Sequence, residues 1–231
     1  VMNTYNLIDG VDGLAGTLGL VTSICFGSYF LYVDQLMYAV MAFSLAGGLI
    51  GFLIYNFSPA KIFMGDTGSL LIGLVNSIFV IKFINIAGAP DAVLPVAAAP
   101  AVGFAIMIVP LFDTLRVFSH RILDRRSPFS ADRTHVHHYL LELGCNHKKI
   151  TLLCAGANIA FIALAVSLSS LGTTLVIGIL LAVAISLIPV VYYSRPSKKE
   201  KAATKLVHES KLMKARNILS LSPEVEIAEA E

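Results

Sequence analysis

The sequence has no tryptophan, only three cysteines and little charge: 14% of its 231 residues are Asp, Glu, Lys or Arg, against 56% that are hydrophobic. Charge this scarce, set between long apolar runs, excludes an ordinary soluble domain. Cys25 and Cys154 sit inside apolar runs and Cys145 in a polar loop. No two of them have metal-ligand spacing, which excludes a disulfide framework and a cysteine metal site. No nucleic acid is expected among the partners. No signal-peptide pattern opens the chain. Val1 begins inside a polar motif, so the chain is expected to be the C-terminal portion of a longer protein.

In place of a mixed surface there are six apolar segments, at 14–33, 36–56, 68–87, 94–118, 149–170 and 174–194. Each is near or above the ~20 residues that cross a bilayer. In lipid such segments must satisfy their backbone internally, so the expected fold is all-α, a polytopic bundle of about six membrane-spanning helices. Residues 1–194 form the expected transmembrane domain, including a loop at 119–148, and residues 195–231 a polar surface tail. Pro95, Pro100 and Pro110 predict a kink or break in the fourth segment.

The side of each loop follows from Lys and Arg. Counting crossings from residues 1–12, one side holds Lys61, the cations from Arg116 to Arg133, Lys148, Lys149 and the tail. The opposite loops hold none, and Lys82 snorkels from the far end of its span. The basic side is expected to be cytoplasmic.

Three polar stretches share that side. In Lys61-Ile-Phe63-Met-Gly65-Asp66-Thr-Gly-Ser69, a carboxylate stands at the mouth of a membrane segment. Such an acid is costly unless paired and marks a functional site by default. A hard cation such as Mg2+ would suit Asp66. Asp66 as a simple N-cap of a helix starting at Thr67 is the competing reading, compatible with the first. Asn3, Asn6, Asp9 and Asp12 recur every three residues, which predicts one polar stripe on a helical face. In the 119–148 loop, Asp132 is a plausible N-cap for a helix over 133–143 that Gly144 stops. Val136, Tyr139, Leu140 and Leu143 give it one apolar face. Arg133, His135, His137 and His138 cluster at its start, which favours an anion such as phosphate over zinc. A solvated interfacial helix with incidental histidines is the plainer alternative. Asp113 and Arg116, three apart, read first as an ion pair and second as support for the site. Arg121, Arg125 and Arg126 are expected to touch anionic headgroups.

Asn3-x-x-Asn6-x-x-Asp9-Gly-x-Asp12-Gly-Leu-Ala-Gly16, Phe63-Met-Gly-Asp66-x-Gly-Ser69 and Asp132-Arg133-x-His135-x-His137-His138, in this order and on one face, resemble the polyprenyl-phosphate N-acetylhexosamine-1-phosphate transferases, glycosyltransferase family 4. The form of the third motif and Pro110-Leu-Phe-Asp113-Thr-Leu-Arg116 are similar to the undecaprenyl-phosphate GlcNAc-1-phosphate branch more than to the phospho-MurNAc-pentapeptide branch. The likeness covers about residues 1–170. The family's earlier Asp-Asp motif has no counterpart here.

The resemblance implies transfer of a HexNAc-1-phosphate from a UDP-sugar such as UDP-GlcNAc to a polyprenyl phosphate. UMP would be released, at the cytoplasmic face of a bacterial inner membrane. It implies Mg2+, with Mn2+ as a substitute, on Asp66 and Asp9. Asp12, His135, His137 and His138 would join them as catalytic residues. Asn3, Asn6, Phe63 and Arg133 would bind substrate, with Phe63 stacked on uracil. A homodimer is compatible with this reading. The alternatives are the phospho-MurNAc-pentapeptide reaction, a transporter, and an inactive remnant or lipid-binding scaffold. Against transport, the polar residues gather on one face and no inverted repeat is visible.

Overall fold

A computed structural model of the chain describes residues 1–125, 127, 136–193 and 213, with the backbone alone for His137, His138 and 190–193. The expected tail at 195–231 therefore lies outside the described residues, Met213 excepted. The described residues are helical, with no strand among them. In order they form α1 (Met2–Ile8), α2 (Leu14–Tyr32), α3 (Leu36–Asn56), α4 (Gly65–Ala87), α5 (Ala99–Ile106), α6 (Ile108–Leu123), α7 (Val136–Glu142), α8 (His147–Ser167) and α9 (Thr173–Tyr193).

α2 is the centre of the bundle. Its most apolar stretch is 61% buried, against 22% for α3, which is an outer helix. Phe26 and Phe30 of α2 meet Phe79 and Phe83 of α4, with ring centroids 5.7 Å apart for Phe26–Phe83 and 5.9 Å for Phe30–Phe79. Edge and tilted contacts of this kind add to the area that the rings bury. Lys82 does not simply reach outward: its Nζ lies 5.0 Å from the Tyr38 ring centroid, a cation–π contact.

Among the described residues four helices, α2, α3, α4 and α8, are long and apolar enough to cross a membrane, or five spans if α5 and α6 count as one, against the expected six or so. The fourth expected segment fails as a continuous span because it bends by 83° between α5 and α6. Pro110 has no N–H to return to the carbonyl of Ile106, so the helical ladder is interrupted there. α9 is 21 residues long, as are α3 and α8, and its stretch Thr173–Pro189 is apolar.

The break is stapled from outside. Asn158 on α8 is fully buried; its Nδ2 donates to the Ile106 carbonyl at 3.0 Å, and its Oδ1 accepts from the Val109 N–H at 3.4 Å. α8 itself starts at a side-chain cap, with Asn146 Oδ1 accepting from the Lys149 N–H at 2.9 Å. Gly144, at φ +82°, ends α7, as its sequence position predicted. The start of α7 expected from 133, with Asp132 as cap, lies outside the described residues up to His135.

Candidate functional site

The polar stripe does not form on one helix. α1 stops at Ile8, with the Asp9 N–H bonded to the Asn6 carbonyl, and Gly13 turns the chain at φ +78°. Gly10 and Gly13 interrupt the helical register that the spacing of three had suggested. Asn3 and Asn6 remain on α1, Asp9 closes it, and Asp12 lies in the turn beyond.

That division places the residues usefully. α1 packs antiparallel against the start of α4 in one register. At its far end a side chain at Gly73 would stand 2.6 Å from the Met2 Cα, so glycine permits a backbone-to-helix approach. One turn nearer the polar side, the buried Ser69 hydroxyl lies 3.1 Å from both Asn6 Oδ1 and the Asp66 carbonyl. At the near end, Asp9 and Asp66 interact. Burial first, and the negative charge of Asp66 second, push the Asp9 carboxyl up to about 6.

Asp66 is not the helix cap. α4 starts at Gly65, whose φ of +65° sets the entry, and Met64 occupies the cap position without a side-chain bond. Asp66 sits exposed in the first turn, where the helix dipole favours a negative charge. Phe63, just before, is 80% exposed and available to a planar ligand.

Asp12 has other partners. Its Oδ2 accepts from the Ala60 N–H at 3.3 Å and lies 3.2 Å from His147 Nδ1, while its carbonyl accepts from the Thr151 hydroxyl at 3.0 Å. Asp12 thus ties the first turn to the 57–64 loop and to α8. Asn56 adds a second tie: its Oδ1 accepts from the Gly13 N–H at 2.9 Å and its Nδ2 donates to the Ile62 carbonyl at 2.8 Å. The sequence reading missed Asn56 and His147. A lone Asn at the polar end of an apolar run was the only available signal for the first, and a His beside a charged pair for the second.

The structure brings Asn6, Asp9 and Asp66 together and leaves Asn3 exposed on α1. Arg133 and His135 lie outside the described residues, as do the side chains of His137 and His138. The Asp113–Arg116 ion pair is present at 2.9 Å. Arg121 differs from expectation: at 3% exposure it is packed into the bundle and is not on a headgroup surface. Arg125 is exposed, and Arg126 lies outside the described residues.

Among the described residues no three of His, Cys, Asp and Glu gather as a metal cluster. The donor set at Asp9 and Asp66 nevertheless fits Mg2+. It is all oxygen, and Mg2+ keeps several waters and is held by one or two carboxylates together with substrate phosphates. A divalent cation would also relieve the burial and the neighbouring negative charge that hold the Asp9 carboxyl up.

Beside these loops lies an apolar cavity of about 350 Å³, lined by Ile8 and Leu14 on either side of the acidic turn, by Phe112 and Asp113 of α6, and by Val136 and Tyr139 of α7.

Comparison with known proteins agrees with the motifs. Residues 1–84 match the model of glycosyl transferase family 4. A decaprenyl-phosphate N-acetylglucosaminephosphotransferase of Mycolicibacterium smegmatis is 42% identical over 166 residues, spanning 66% of this chain and 41% of that protein. A probable undecaprenyl-phosphate N-acetylglucosaminyl 1-phosphate transferase of Bacillus subtilis is 33% identical over 153 residues, 66% of this chain and 41% of that protein. A phospho-N-acetylmuramoyl-pentapeptide-transferase of Moorella thermoacetica is 40% identical over 142 residues, 62% of this chain and 40% of that protein. The chain spans about two fifths of the length of these curated relatives. Residues 1–84, which hold both acidic loops, are the part of the chain that is similar to glycosyl transferase family 4.

Proposed function

We propose that the full protein transfers GlcNAc-1-phosphate from UDP-GlcNAc to a polyprenyl phosphate such as undecaprenyl phosphate. The reaction takes place at the cytoplasmic face of a bacterial inner membrane and starts a cell-envelope polysaccharide. The observation that carries this reading is the pairing of Asp9 and Asp66 from two different helices, fixed by the antiparallel register of α1 on α4. The names of the Mycolicibacterium and Bacillus relatives support the acceptor class and the sugar.

In the reaction, an oxygen of the acceptor phosphate bonds to the sugar-bearing phosphorus of the donor. The bond from that phosphorus to the bridging oxygen breaks, and UMP leaves with its electron pair. Both reactants are anions, so the chain must hold them together against repulsion. Mg2+, when bound, would supply the neutralising charge. Asp9 and Asp66 would hold it, and Asn6 would keep a neutral amide oxygen beside them. Phe63 would stack on the uracil face. Arg133, His135, His137 and His138 would hold the donor phosphates or sugar. The apolar cavity beside the acidic turn suits the first isoprenyl units of the acceptor, with its phosphate directed at Asp9.

The test is release of UMP by the full chain in detergent, with undecaprenyl phosphate as acceptor, across a Mg2+ titration and with Mn2+ in its place. UDP-GlcNAc is expected to turn over and UDP-MurNAc-pentapeptide is not. Turnover of the pentapeptide donor alone would select the phospho-MurNAc reading, favoured by the Moorella relative. No UMP from either donor would leave the scaffold or remnant reading.

A further inference from the structure

The ion pair of Asp113 and Arg116 has more partners than neutralising each other requires. Asp113 is 4% exposed, and Arg116 reaches its Oδ1 through Nη2 at 2.9 Å and Nε at 3.3 Å. That same oxygen also accepts from the backbone N–H of Val136 at 3.1 Å, a residue of another element. The guanidinium of Arg116 lies 5.2 Å from the ring centroid of Tyr139. One pair on α6 thus contacts α7 at two points, Val136 and Tyr139. His137 and His138 are the two residues between those points.

α7 needs such contacts. Its seven residues are too few to hold a helix in isolation, and Gly144 ends it at φ +82°. Its position is therefore set by tertiary contacts. The apolar ones are Val136, Tyr139 and Leu140 against the cavity wall. They resist separation, but nonpolar contact alone fixes rotation and register weakly. The bond from Val136 N–H fixes the first turn of α7 in rotation, and the cation–π contact of Arg116 with Tyr139 fixes its fourth residue.

We propose that Asp113 and Arg116 are positioning residues that lock α7 onto α6 and so set where His137 and His138 stand, without touching the substrate. The proposal rests on the transferase reading for the role of the histidines. It extends that reading by naming the device that places the backbone that carries them. The bend at Met107 gives α6 the direction in which this grip is made, so the fixed break and the grip form one support.

The test has one arm that needs no turnover. Spin labels at Leu123 on α6 and Glu142 on α7, in the full chain, report the distance between the two helices. A second pair at Lys61 and Leu171 serves as the control for global folding. Asp113→Asn keeps an oxygen for Val136 but loses the charge that holds Arg116. Tyr139→Leu keeps the ion pair and removes the cation–π contact, and it stands as the second variant should a buried Asn at 113 disturb insertion. Both are expected to broaden the 123–142 distance distribution with the 61–171 pair unchanged. UDP added in excess should narrow the distribution again, because ligand contacts replace the lost ones.

In turnover, Asp113→Asn is expected to raise KM for UDP-GlcNAc about tenfold, the size of one lost charge-assisted hydrogen bond, and Tyr139→Leu about threefold to tenfold, the size of one lost cation–π contact, with kcat changed less in both. An unchanged distance distribution in both variants would overturn the proposal, whatever the activity. A fall in kcat with neither KM nor distance altered would also overturn it, since that pattern belongs to a residue acting on the reaction directly. If the wild type releases no UMP, the transferase reading fails, and the distance arm still decides the grip by itself.

Discussion

Asn158 supplies Ile106 with the hydrogen bond that Pro110 withholds. The amide is on α8 and the gap is between α5 and α6, so a side chain from a neighbouring helix closes the ladder at the bend. Asn158→Leu removes both contacts and leaves a buried carbonyl without its partner. The expected loss is about 2–3 kcal/mol, at ~1–3 kcal/mol for each buried group left unsatisfied. Thermal unfolding in detergent measures it. A melting temperature equal to wild type would mean that the bend holds without the amide.

The contact of Gly73 with Met2 separates two glycines of similar appearance. A methyl group at 73 would meet the α1 backbone at 2.6 Å, whereas one at Gly47 would meet nothing within 4 Å. Gly73→Ala is expected to cost about 1–3 kcal/mol as overpacking. Gly47→Ala should be neutral or gain up to ~1 kcal/mol from helix propensity. The same unfolding assay decides, and equal effects at the two positions would refute the close approach of α1.

Asp66→Asn tests the acid itself. Because α4 starts before Asp66 and no cap bond involves its side chain, the substitution removes a charge and little else. The lost dipole interaction is worth about 0.3–1 kcal/mol, too little to prevent insertion. Transfer is expected to fall on the order of 10²–10³-fold, the scale for losing one charge-stabilising group, or to need far more Mg2+. Wild-type release of UMP at the same Mg2+ would remove Asp66 from the centre of the proposal.

Cys145 reports the orientation. It follows α7 and is half-buried, on the side that Lys and Arg assign to the cytoplasm. In a Cys25→Ser, Cys154→Ser background it should react only with thiol reagents that cross the membrane. Labelling by an impermeant reagent added outside intact cells would invert the topology and the site with it.

Much of this was legible in the residues. The all-helical class, the broken fourth segment and the stop at Gly144 followed from apolar runs, Pro110 and a glycine at a helix end. Charge bias put the Asn/Asp stretch and Asp66 on one side, but it did not say that Asp9 would be the residue to meet Asp66. What misled was local register. Spacing of three suggested a continuous stripe, but Gly10 and Gly13 turned the chain after Asp9 and sent Asp12 to His147 and Ala60. A cap at Asp66 was a natural expectation before a Thr, yet a left-handed Gly65 opened the helix first. Asn56 and Asn158 were invisible for a different reason. Each works through backbone groups far away in the chain, and a single amide inside or beside an apolar run does not say which carbonyl or N–H it will meet.

Gly73 has a consequence for ion choice. It lies seven residues beyond Asp66 on α4, about 10 Å along the axis at 1.5 Å per residue. It carries no atom that could touch a ligand. Yet α1 lies against it at Met2, and Asp9 closes the other end of α1. On the metal reading proposed above, the gap between Asp9 and Asp66 decides which cation fits: Mg2+ asks for oxygens at about 2.0–2.1 Å in near-octahedral order, while Ca2+ accepts about 2.3–2.6 Å and looser geometry. Bulk at position 73 would lever the carboxylates apart and shift preference toward the larger ion. On that reading a residue with no side chain would set the selectivity of a site it never meets.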